Sequence, residues 1–374
     1  GGVHMIPRGS IRAKLLIGLG TVALIAAACG GGSSPAPSTA TTYKIGYSNG
    51  GGVGNGFREE QVCTAKAQAK VSGLVSELTT IHRDTDAAGQ LQDLRDLIAK
   101  GVNAIVFNPN DPDALNPALA EAKAAGIKTV SVDAYVTDPD TYNLYNNQIK
   151  YAEIGAKWLF DQLGGSGTVY YMRGIAGHPA DSDRDIGFKN VLKDYPNIKV
   201  VPNADGVATG WDPVQGTKLI NDFISSGQYD SIQGIWTSGI DSVVVDAIKA
   251  ANKKFVPIVG ADLGGFVAQL LDPTGYPDLK GIAVTNTAAV GGAGVGLALK
   301  LLKGESVTLA PAPARANTVL LDPVGADNTS DAGKALLKSW QVDGLDPNWP
   351  LGLQIEGYTT YTGAEAVACK GPGE

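Results

Sequence analysis

The sequence predicts an α/β protein made of two doubly wound parallel-sheet lobes. From Tyr43 onward, short apolar runs alternate with amphipathic stretches, and repeated β-α-β units of this length imply parallel sheets covered by helices on both faces. Turn residues break the alternation near "TDPDTYNLYNNQIKYAEIG", and a fresh series starts at Thr168. The body of about 330 residues is long enough for two domains of roughly 100–200 residues each.

The elements follow in chain order. Arg8, Arg12 and Lys14 precede an uncharged run from Leu15 to Ala28, and Cys29 follows. That run is too short for a bilayer, which takes about 20 apolar residues. A basic start, a short apolar core and small residues before a cleavage point describe a secretion signal over residues 1–28, with an uncleaved membrane anchor as the alternative. Residues before Met5 read as an upstream extension. The segment 29–42, "CGGGSSPAPSTATT", is too rich in Gly, Ser, Pro and Thr to bury a core and reads as a flexible tether.

Strands are expected at "KIGYS", "ELTTIHR", "AIVFN" and "KTVSVD", then at "TVYYMR", "IKVVPN", "GIWTS", "VPIVGA" and "GIAVTN". Leu91, Leu94, Leu97 and Ile98 share one face of a helix predicted over 86–100, with Gly101 at its C-cap. The expected boundaries are 43–146 plus 287–318 for the N-terminal lobe and 147–286 for the C-terminal lobe. From Asp322 the strand–helix rhythm is poor, so 319–374 reads as a tail packing over the lobes.

The formal net charge is −7 and the mature chain has no basic run, which argues against nucleic acid as a partner. Beyond Cys29 only Cys63 and Cys369 remain. A secreted protein keeps disulfides, so the two are expected to pair and staple the first helix to the C-terminal tail. Two unpaired buried thiols are the alternative.

In open parallel sheets, ligands bind outside the carboxyl ends of the strands. Those positions hold Asn49, Asn55, Phe57 and Arg58 after the first strand, then Asn108, then Asp133 and Tyr135. The second half adds Arg184, Trp211, Ser238, Asp262 and Asn286. Carboxylates, guanidiniums and amides hydrogen-bond vicinal hydroxyls strongly, and rings such as Phe57 and Trp211 cover the C–H face of a sugar. Each residue alone is also an ordinary turn or cap; their shared placement is the signal.

The loop "GGGVGNG" at 50–56 is not a phosphate cradle. No register supplies G-x-G-x-x-G, and Phe57 stands where a Walker loop has Lys. His4, His82 and His178 stand alone, and C-x-x-C, H-E-x-x-H and G-x-S-x-G are absent. Catalytic residues, metal ligands and cofactors are therefore not expected.

The signal, the tether, "SNGGGVGNGFR", "NPND", "SVDA", "RGIAGHPADSDRDIGF" and "VGAD" together resemble the ribose-binding-like branch of type I periplasmic sugar-binding proteins, the solute receptors of ABC importers. The resemblance runs from about Tyr43 to Val319. It implies the type I periplasmic-binding-protein fold, a three-segment hinge and a sugar bound between the lobes. It implies ligand contacts at Asn55, Phe57, Asp133, Arg184, Trp211, Asp262 and Asn286. Ala134 stands where the family has an arginine, and Gly239 where it has an amide, so ribose itself does not carry over. "GNGFR" is closer to galactofuranose- and arabinose-type binders. Further expectations are a bacterial, extracytoplasmic lipoprotein anchored to the membrane through Cys29, a monomer, and an ABC permease as partner. The alternatives are a secreted glycosidase-like enzyme using Asp133 and Asp262, and a receptor serving a chemosensory partner. A repressor with the same core is disfavoured, because a signal and tether occupy the place of its DNA-binding helices.

Overall fold

The computed structural model describes residues 41–311 and 315–374. The signal segment 1–28, Cys29 and most of the tether lie outside the described residues. The chain opens with β1 (Tyr43–Gly50), α1 (Gly56–Val71), β2 (Val75–Arg83), α2 (Ala87–Ala99), β3 (Ala104–Asn108), α3 (Asn116–Ala124), β4 (Lys128–Asp133) and β5 (Tyr142–Asn146). It continues with α4 (Gln148–Gln162), β6 (Ser166–Arg173), α5 (Pro179–Leu192), β7 (Asn197–Val201), β8 (Val207–Ala208) and α6 (Pro213–Ser225). Next come β9 (Gly234–Trp236), α7 (Asp241–Ala250), β10 (Ile258–Ala261), α8 (Gly264–Leu271) and β11 (Gly281–Val284). The last elements are α9 (Val290–Lys303), β12 (Thr318–Leu321), β13 (Gly325–Asp327), α10 (Asp331–Trp340) and α11 (Gly363–Ala368).

Two sheets result. The first has the order β12-β5-β4-β3-β1-β2 and is parallel throughout. The second has the order β13-β11-β10-β9-β6-β7, with β13 antiparallel to β11. The chain leaves the first sheet after Asn146, returns between β11 and α9, and leaves again between β12 and β13.

Two expectations need correction. The break at 137–155 conceals β5, a strand buried on both faces, with Asn143, Leu144 and Tyr145 all inside. Its amide-rich sequence hides the strand period, because Asn143 is buried with its Oδ1 accepting from Ser131 Oγ and Val136 N and its Nδ2 donating to the Ala316 carbonyl. The segment 319–374 is not a tail throughout: β12 closes one edge of the first sheet and β13 one edge of the second. Edge strands this short leave too few residues to display a period.

Each sheet has its own core. The second lobe packs Tyr171 flat on Phe188 at 4.0 Å, with Trp236 edge-on at 5.2 Å to Tyr171. Burying each such ring contributes about 1.5–3 kcal/mol. In the first lobe α9 lies against α1 at Gly291, where a Cβ would collide with the Gln61 carbonyl. The glycine-rich face of α9 exists for that close approach, and a larger residue at 291 would drive the helices apart. Asp86 caps α2 by accepting from Gly89 N at 2.8 Å, which is why the helix starts there. The structure joins Cys63 to Cys369 by a disulfide.

Candidate functional site

A cavity of about 780 Å³ lies between the two sheets. The Gly-rich loop forms one wall, with Gly51, Gly52 and Gly54 at positive φ between the end of β1 and the start of α1. Asn55 caps α1 by accepting from Arg58 N at 3.2 Å, and its amide donates to the Trp211 carbonyl of the opposite lobe at 3.2 Å. The loop is therefore a cap and a cross-lobe contact rather than an anion nest.

Arg58 is buried. Its Nη1 donates to Asn49 Oδ1 at 2.7 Å, and its Nη2 faces His178 Nε2 from the second lobe at 3.1 Å. Burial pushes the His178 pKa well below 6.5, and Arg58 and Arg184 beside it add to the shift. The ring is thus neutral, and its other nitrogen already faces Ala180 N at 3.2 Å. A neutral imidazole has a single lone pair, so one of those two N–H donors is left for another acceptor.

Asp133 ends β4 at φ +67. Its Oδ1 accepts from Asn146 Nδ2 at 3.0 Å and Gln148 Nε2 at 2.8 Å, and its Oδ2 faces Asn108 Nδ2 at 3.4 Å. Gln148 also donates to Asn286 Oδ1 and accepts from Arg184 Nε at 2.7 Å. Standing at the first residue of α4, this one buried amide connects a carboxylate of the first lobe, an arginine of the second and the return segment between them.

Arg184 lies between rings, 4.1 Å from the Tyr151 centroid and 5.5 Å from that of Trp211. Stacking leaves its edge for in-plane hydrogen bonds, and among the described residues only its Nε is engaged. Asp262 follows β10. Its Oδ1 accepts from Asn286 N at 2.9 Å, while its buried Oδ2 has no hydrogen-bond partner among the described residues. Burial raises its pKa to about 6. An unpartnered buried carboxylate oxygen costs stability unless something completes it.

Of the expected ligand residues, Asn55, Phe57, Arg58, Asp133, Arg184, Trp211, Ser238, Asp262 and Asn286 line this cavity. Three do not. Asn49 is fully buried, gripping Arg58 through its amide oxygen and the Arg58 carbonyl through its amide nitrogen. Asn108 turns under α1 to donate to Gln61 Oε1 at 3.2 Å. Tyr135 lies under the Arg315 guanidinium, 3.3 Å from its centroid, beside Tyr145 and the Asp183–Arg315 pair. All three sit at strand ends, but packing turns them away from the cavity.

Sequence reasoning missed Gln148, whose helix-start position carries no strand-end signal. It also missed Asn348 and Pro350, which line the cavity from the C-terminal segment. Among the described residues no cluster of three or more metal-ligating side chains exists, and no helix is long and apolar enough to cross a membrane.

The family model for the periplasmic binding protein domain matches residues 45–306. A xylitol-binding protein of Mycolicibacterium smegmatis is 29% identical over 309 residues, covering 81% of this chain and 82% of that protein. A ribose import binding protein of Bacillus subtilis is 25% identical over 198 residues, 52% of this chain and 62% of its own length. The crystal structure of an ABC transporter solute binding protein from Thermobispora bispora superposes with a TM-score of 0.70 at 23% identity, covering 83% of this chain and 90% of that one. With two α/β sheets of mainly parallel strands around one cavity and a family match over most of its length, this chain belongs to the periplasmic binding proteins.

Proposed function

We propose that this protein is the extracytoplasmic solute-binding component of an ABC importer, and that it takes a small sugar or polyol between its lobes. The observation that supports the reading most is the convergence of Asp133, Arg58, Arg184, Trp211 and Asp262 from both sheets on one cavity. One stacked guanidinium, that of Arg184, and a carboxylate with a spare oxygen suit a guest rich in hydroxyls. The names of two relatives, a xylitol-binding and a ribose import binding protein, point the same way. Asn55, Phe57, Ser238 and Asn286 complete the proposed contact set.

The lobes hinge about the segments that join the sheets. A guest touching both halves favours closure because only the closed form satisfies all its hydroxyls. Near-complete closure needs a preference of about 5.5 kcal/mol. No bond of the solute is made or broken. The protein acts as a monomer, held to the membrane by lipid on Cys29, and the closed form is presented to a permease.

The test is a thermal-shift screen of the protein against xylitol, ribose, arabinose and galactose. A binder at 100 times its Kd adds about 2.7 kcal/mol of stability. No shift across the panel, or release of sugar from a glycoside, would overturn the reading.

A further inference from the structure

The family match ends at residue 306, yet the chain runs on to Glu374 and touches both lobes again. A turn at 346–349 forms where Asp346 Oδ1 accepts from Asn348 N at 2.8 Å and its carbonyl accepts from Trp349 N at 2.9 Å. On the second lobe, α8 starts without any side-chain cap. Its first two N–H groups, Gly264 and Gly265, donate instead to the Trp349 and Pro347 carbonyls at 2.9 and 2.7 Å. Those are donors that a helix start must otherwise leave to water. Leu351 N then donates to the carbonyl of Asp262 at 3.0 Å.

On the first lobe, Gly56 at the start of α1 abuts the Asn348 carbonyl so closely that a Cβ there would collide with it. The segment then passes the return between the lobes, where Thr287 Oγ1 donates to the Gly352 carbonyl at 2.5 Å. Beyond that it buries Leu353 with Ala67, Tyr361 and Ala366 against α1. Gln68 bonds Thr360, and Cys369 is bonded to Cys63 of α1.

We propose that residues 346–353 form a fourth connection between the lobes and a wall of the solute cleft. The disulfide anchors this strap to the first lobe, and it limits opening while offering the Asn348 amide to the solute. The strap rests on the sugar-binding reading only for the Asn348 contact. The limit on opening stands on the cross-lobe contacts themselves. Because Leu351 holds the backbone of Asp262, any shift of the strap also shifts that carboxylate.

The test uses the full chain, calorimetric titration with xylitol and ribose, and small-angle scattering without solute. Asn348→Ala is expected to weaken binding about tenfold and leave the melting temperature of the empty protein unchanged. Gly56→Ala, which suits a helix start but displaces the strap, is expected to weaken binding at least fivefold and to enlarge the radius of gyration. Wild-type affinity in both variants would overturn the proposal. Weakening by Gly56→Ala alone would retain the strap and remove the Asn348 contact. If wild type binds neither solute, the titrations use whichever member of the thermal-shift panel binds; the sugar reading fails only if none does, and scattering decides the strap in either case. Cys63→Ser with Cys369→Ser, or Gly56→Ala should that pair fail to fold, must expand the empty protein. A scattering curve superimposable on wild type would sink the strap.

Discussion

Two carboxylates face the same cavity from opposite lobes, and their surroundings differ. Asp133 is held by the side-chain amides of Asn146, Gln148 and Asn108. Asp262 Oδ1 accepts from Asn286 N, the Gly352 backbone N–H lies close enough to act on the carboxylate, and Oδ2 is buried without a hydrogen-bond partner among the described residues. The first lobe is wired before any guest arrives, whereas the second carries an incomplete acceptor beside a stacked arginine. Fixed geometry on one side and unmet bonding capacity on the other is how a hinged site gains energy only when a guest spans both.

The sharpest test exchanges the two roles. Asp262→Ala should abolish detectable solute binding, a loss of at least about 3 kcal/mol for charge-assisted bonds, while the empty protein melts no lower than wild type at pH 7. Calorimetry with the best solute and a melting curve decide it together. Asp133→Ala should show the reverse emphasis. Three amides lose their acceptor, so chemical denaturation should report about 2–3 kcal/mol less stability, and a variant as stable as wild type would break the comparison.

Trp211→Ala sharpens the second-lobe side. It removes one face of the Arg184 stack and the ring that would cover the solute, and is expected to cost about 1–2 kcal/mol of affinity with the fold intact. Quenching of tryptophan fluorescence by solute should vanish with it. The smallest effect concerns His178, which spans the cleft to Arg58. Its folded pKa is depressed, first by burial and then by Arg58 and Arg184. The unfolded chain therefore binds a proton below about pH 6.5 that the folded chain refuses, and stability falls as pH drops through that window. Relative to His178→Gln, wild type should lose up to about 1.4 kcal/mol per pH unit below 6.5 and nothing above it. A pH-independent difference between the two proteins would remove His178 from the cleft contacts. The raised pKa of Asp262 acts oppositely, favouring the folded state at lower pH, and cancels in that difference.

Much of this was legible in the sequence because strand ends are local features. An apolar run followed by a polar residue marks the carboxyl edge of a parallel strand, and Asp133, Asp262 and Asn286 were found that way. The same rule misplaced Asn49, Asn108 and Tyr135, because a strand end specifies an edge of the sheet but not which neighbour a side chain will meet. Asn49 and Asn108 are register partners on adjacent strands, and both turn to polar groups of α1. Gln148 was invisible for the opposite reason: its role comes from three partners at positions 133, 184 and 286.

The sequence by itself determined the alternation of strands and helices, the loop that could not hold phosphate, and a cysteine pair with no other candidates in the body of the chain. These follow from period, spacing and elimination, which short-range steric and hydrophobic rules enforce. Only the tertiary structure decided that β12 and β13 close opposite sheets, that His178 reaches Arg58 over 120 positions, and that the last fifty residues return to the cleft. Such contacts join segments far apart in the chain. They are chosen by packing and by the satisfaction of buried polar groups, and leave no periodic trace in either partner.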